Sequence, residues 1–113
     1  MADQESDTPV LDLLTRMTAD SIVSAGLDGQ SLMIARIAAL VAMGAPTASY
    51  VTNLAAADAA DLDPEQLRRV LAAVAPIVGT ARVVEAAGNI MEAFGIVIVA
   101  ALEAAELEAD ADS

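Results

Sequence analysis

Apolar residues recur along this chain at spacings of three and four, and turn signals divide them into five runs. Thr8-Pro9 opens the first, with Thr8 at the N-cap and Pro9 at the first helical position. Val10, Leu13, Leu14, Met17 and Ser21 form one face, Asp12, Arg16 and Asp20 a charged stripe, and Gly26 the stop. Asp28 caps a second helix over 29–43. Its apolar residues Leu32, Met33, Ile34, Ile37, Leu40 and Val41 surround it, which predicts burial on every side. Gly44-Ala45-Pro46 breaks the chain before a third helix over about 46–60. Asp63-Pro64-Glu65-Gln66 reads as a capping box opening a fourth helix. Leu67, Val70, Leu71, Val74 and Val78 are its buried stripe, and Pro76 should kink or end it. Gly79-Thr80 restarts the chain into a long fifth helix, about 81–108. There Glu85, Glu92 and Glu106 share a heptad-spaced stripe whose remaining slot is Val99. Ala81, Gly88 and Gly95 also recur every seven residues, a pattern that lets another helix approach closely. No strand alternation competes with this reading, so the fold class is all-α with five helices. Residues 1–7 read as a disordered acidic N-terminus, 8–108 as one helical domain, and 109–113 as a solvated acidic tail.

Composition sharpens the picture. The 113 residues are 57% hydrophobic. A domain this small cannot enclose that much apolar surface, so the surplus is expected against sister subunits. Gly88, Gly95, Ile96, Val97 and Val99 are the expected oligomer interface, since no polar face survives around 96–99. A membrane span is not expected. The charge-free stretch Ile37 to Ala57 holds Gly44, Pro46 and Asn53, and Ala93 to Leu102 is half the length a bilayer needs.

The net charge of −12, with 5 arginines as the only basic residues, argues against nucleic acid as a partner. The acidic start is unlike a secretory leader, and the cysteine-free composition fits the cytoplasm. The alanine- and arginine-rich, lysine-free vocabulary hints at a GC-rich bacterial source.

The chain contains no cysteine and no histidine, which removes the usual carriers of thiol, metal and imidazole chemistry. No cofactor, metal site or catalytic residue is expected. The tail acids lack the turn glycine and ligand spacing of a calcium loop. The five methionines read as core gap-fillers. Arg36 and Arg82 each stand among apolar neighbours, where a buried guanidinium requires an anionic partner. One reading places a carboxylate- or phosphate-bearing small molecule between them, near Ser49, Tyr50 and Asn53. The plainer reading pairs Arg82 with Glu85, or Arg36 with Asp58, at a subunit interface. Tyr50 beside an arginine has the chemistry of an acid, but a ring packed in the core is the commoner use.

Three segments carry a family resemblance that covers roughly residues 10–95. Leu27-Asp28-Gly29-Gln30-Ser31-Leu32-Met33-Ile34-Ala35-Arg36-Ile37-Ala38-Ala39 resembles a helix of the carboxymuconolactone decarboxylase-like superfamily, which includes the alkylhydroperoxidase D type. Ala60-Asp61-Leu62-Asp63-Pro64-Glu65-Gln66-Leu67 resembles a second helix start of that family. Val74-Ala75-Pro76-Ile77-Val78-Gly79-Thr80-Ala81-Arg82 resembles one of its turns. The resemblance implies an all-helical homo-oligomer, often a trimer or a hexamer built of trimers. The redox branch of that family carries a glutamate, a C-x-x-C pair and a histidine. Aligned on Gly44, the cysteine positions are Ala45 and Ala48 and the histidine position Thr52. Aligned on the downstream helix they are Pro46, Ser49 and Asn53, and the glutamate falls near Met33. Neither register supplies a thiolate or an imidazole base, so dithiol peroxidase chemistry is not carried over. The expectation is a non-catalytic assembling or ligand-binding protein. The rivals are an enzyme of unassigned chemistry acting on an anionic small molecule and a scaffold forming a larger assembly.

Overall fold

In a computed structural model the described residues, 6–112, form five helices and no strands: α1 (Pro9–Ala25), α2 (Gly29–Met43), α3 (Thr47–Ala59), α4 (Pro64–Val78) and α5 (Thr80–Asp112). The expectation of a disordered start falls mostly on residues 1–5, which lie outside the described residues.

The helix starts follow the capping chemistry. Asp28 accepts from the Ser31 amide at 2.9 Å and from the Ser31 hydroxyl at 2.8 Å. These bonds, the amide first, hold its carboxyl below the ordinary 3.8. Asp63 and Gln66 exchange reciprocal bonds of 2.8 and 2.9 Å, completing the capping box. Thr8 departs from expectation: its side chain makes no cap bond and its hydroxyl instead lies 3.3 Å from Asp12. Gly44 ends α2 in the left-handed region, φ 68°, with the Ala45 amide returning to the Leu40 carbonyl at 3.0 Å. The arginine side chain of Arg82 lies over Gly44, where a β-carbon would collide with it.

α2, α3, α4 and α5 pack on one another, and α1 touches the rest only lightly. The core is built from Met33, Ile37 and Val41 of α2, Tyr50 and Leu54 of α3, Leu67 and Val70 of α4, and Ala86, Ile90 and Ala93 of α5. The predicted stripe of α4 is the one that packs, with Leu71, Val74 and Val78 half-buried behind Leu67 and Val70. Pro76 is accommodated in the last turn, and α4 stops two residues later at Val78.

Two expectations about the helices need correction. α2 is not buried on every side: Ile34 is 40% exposed and Met43 70%. The apolar face of α1 is uncovered as well, since no residue of that helix is buried. And α5 continues through Asp112, so positions 109–112 prolong the helix, with 109–111 exposed.

Candidate functional site

The five polar residues singled out from sequence do not form one site: Arg36 and Asn53 share a groove, and Arg82 and Tyr50 stand apart from it. Arg36, half-buried on α2, faces α1 and donates to the Thr18 carbonyl at 3.4 Å and to the Ser21 hydroxyl at 3.3 Å. Both bonds are long and both acceptors neutral. Asn53 lines the same groove, of about 370 Å³, with Leu14, Met17 and Thr52. The Asn53 amide donates to the Ser49 carbonyl at 2.8 Å, one turn back in α3, so Ser49 takes part through its backbone. Arg82 is not part of that groove: it is exposed, at the start of α5 above the C-terminus of α2. Neither expected ion pair forms. Among the described residues the only carboxylate at salt-bridge distance from an arginine is Glu65, which serves Arg68 at 3.2 Å and Arg69 at 3.7 Å.

Tyr50 is fully buried, and its hydroxyl has no hydrogen-bond partner among the described residues. Burial, and then the negative charge of Glu85, push its ionisation above the ordinary 10.0. A phenol held neutral behind side chains serves the core. Beside it, a polar cluster that sequence reading did not find joins α3 to α5. The Thr47 hydroxyl lies 3.2 Å from Asn89 Oδ1 and 3.4 Å from Glu92, and Asn89 Nδ2 donates to the Ala45 carbonyl at 3.2 Å. These bonds satisfy polar groups at the loop between α2 and α3.

The prominent surface feature is apolar. Eighteen large hydrophobic side chains are exposed among the described residues, seven of them on α1 and seven on α5. Of the expected interface, Ile96 and Val99 are about half exposed, Gly88 and Gly95 lie open, and Val97 is half-buried against its own subunit. Sequence reading marked Ala81, Gly88 and Gly95 on α5. The structure adds that the intervening positions Val84, Met91 and Ile98 are exposed on the same side, as is Leu102, the next in the seven-residue series. Together these residues alternate steps of three and four and contain no charge, the period of a coiled-coil seam. The signal lay in the sequence, but only exposure tells this seam from the opposite apolar face, which the subunit buries itself.

Among the described residues no group of acidic side chains is placed to hold a metal ion, and no helix is long and apolar enough to cross a membrane. No family model, curated protein or solved structure matches the chain.

Proposed function

We propose that the chain is a self-assembling helical protein of the carboxymuconolactone decarboxylase-like type without a dithiol centre. Its subunits complete one another in a cytoplasmic homo-oligomer, a trimer or a hexamer built of trimers. The observation that carries this reading is surface area. The subunit exposes 7828 Å², whereas a compact monomer of 11.5 kDa exposes about 5,800 Å². The excess, roughly 2,000 Å², is above the ~800 Å² that one partner contributes to a standard protein interface. The radius of gyration, 16.6 Å, likewise exceeds the roughly 13 Å of a compact chain of this length. The order of the three family-like segments and the five-helix architecture support the family assignment; the missing thiols and imidazoles support a role without peroxidase turnover. Sedimentation at micromolar concentration should give three or six times 11.5 kDa, and a stable single copy would overturn the reading.

A second reading rests on Arg36. Its guanidinium meets only neutral acceptors in a groove that also holds Asn53, an arrangement suited to the carboxylate or phosphate of a small molecule. Inorganic phosphate and acetate should then shift the amide signals of Thr18, Ser21 and Asn53, and Arg36→Gln should abolish the shift. Unmoved signals at millimolar anion would leave Arg36 as a tie between α1 and α2.

A further inference from the structure

We infer that α5 pairs with α5 of a second copy, parallel and in register, along Val84, Gly88, Met91, Gly95, Ile98 and Leu102. The inference rests on the self-assembly proposed above in its hexameric form, since a parallel in-register pair is two-fold symmetric and joins one trimer to the other, and it assigns that contact an element, a direction and a register. All six positions are exposed, from 55% at Ile98 to 74% at Met91 among the large ones. A β-carbon added at Gly88 or Gly95 would meet nothing within 4 Å. Packing within the subunit therefore gives no reason for either glycine, whereas close approach of a second backbone does. Beyond Gly95, α5 continues for about 25 Å at 1.5 Å per residue, and only Val97 of that stretch is even half-buried up to Ala111. A 3.5-residue period drifts around a straight helix, and left-handed winding of one α5 about another keeps the seam closed.

The flanks of the seam set the direction. One flank carries Glu85, Glu92, Val99 and Glu106; the other carries Thr80, Ala87, Phe94 and Ala101. In parallel pairing each flank meets the opposite flank of the partner, five positions on. Thr80 then faces the partner's Glu85, Ala87 the partner's Glu92, and Ala101 the partner's Glu106. Phe94, the one phenylalanine of the chain, faces the partner's Val99, the single apolar residue in the acidic row. Antiparallel pairing would set the acidic row against its own copy, stacking glutamate on glutamate. Charge complementarity points the same way. Arg68 of α4 lines, with Met91 and Phe94, a groove of about 270 Å³ on the Phe94 side of the seam. The partner's Glu92 arrives on that side. The present contact of Arg68 with Glu65 is solvent-exposed and holds it weakly.

The chain has no cysteine, so one introduced thiol reports directly on the pairing. Ala105 continues the seam by one step of three; Ala104 does not, and both are exposed. In the full chain, Ala105→Cys should oxidise to a covalent species of twice the subunit mass, and Ala104→Cys should remain largely monomeric on a denaturing gel. Leu102→Asp, at a side chain 61% exposed, should keep its helical circular dichroism, lower the solution mass and abolish the Ala105→Cys cross-link. An assembled protein whose Ala105→Cys thiol does not couple, or couples only with Val84→Cys or Gly88→Cys, overturns the parallel register and leaves self-assembly standing. A Leu102→Asp protein of unchanged mass overturns the seam. A monomeric unmodified protein removes both proposals.

Discussion

Tyr50 shows how one side chain can look functional in sequence and prove structural in context. Its ring is a centrepiece of the core and its hydroxyl is buried without a partner. A buried hydroxyl that lost its water and gained no bond costs roughly 1–3 kcal/mol. Tyr50→Phe should therefore raise stability by about 1 kcal/mol at neutral pH, measured by urea unfolding at fixed protein concentration. The pH dependence has a definite sign. The folded-state ionisation lies above 10.0, so the folded protein retains a proton that the unfolded chain loses, and stability falls as pH rises past about 10. Tyr50→Phe removes that part of the alkaline loss. Because the chain has one tyrosine and no tryptophan, phenolate absorbance reports this group alone and should appear only as helical signal disappears. A phenol that titrates near 10 in a fully helical protein would contradict this placement. At the same scale, local chemistry was legible in sequence: Asp28 and Asp63 cap as their neighbours dictate, because a cap needs only residues within one turn. The acceptors of Arg36 were not legible. Thr18 and Ser21 lie eighteen and fifteen residues away, across a helix junction that no short-range rule defines.

Among the elements, α4 and α5 teach opposite lessons about periodicity. In α4 the apolar stripe has one use, and the stripe read from sequence is the stripe that packs. α5 carries two apolar faces on roughly opposite sides of the helix. Its buried face centres on Ala86, Ile90 and Ala93, and the exposed seam runs along Val84, Met91 and Ile98. Periodicity alone does not say which face belongs to the subunit. The same ambiguity explains α2: an all-apolar helix was read as fully enclosed, but four helices around a small core leave Ile34 and Met43 uncovered. It also explains α1, whose apolar face is real but only partly covered by its own chain: Leu14 and Met17 line a groove with Arg36 and Asn53 and stay about half exposed. Gly88 and Gly95 separate folding from association. Each glycine costs a helix interior about 0.8–1 kcal/mol relative to alanine. Replacing both by alanine should stabilise the isolated helix yet hold two helices apart, so helical content should stay level or rise while the sedimenting mass at a given dilution falls. A variant that gains stability and keeps its mass would show that neither glycine lies between chains.

For the whole molecule the opposing terms are apolar excess and charge. Each subunit carries −12 with 17 acidic residues, and bringing copies together concentrates like charge, most densely along the acidic ends of α5. Apolar contact drives association with little dependence on modest salt, whereas the repulsion is screened, its reach shrinking from about 30 Å at 0.01 M ionic strength to about 8 Å at 0.15 M. Association should therefore tighten as salt rises over that range, by roughly ten-fold in dissociation constant, equivalent to about 1.4 kcal/mol. Sedimentation at several dilutions in each salt would measure it. Arg68 facing the partner's Glu92 works in the reverse sense, since an ion pair between chains weakens on screening. With five arginines against seventeen acids, and with Arg68 and Arg69 already beside Glu65, that contribution is the smaller one, so the net slope keeps the sign set by repulsion. If added salt instead separated the subunits, the contacts between chains would be chiefly ionic, and the apolar faces of α1 and α5 would need a different occupant.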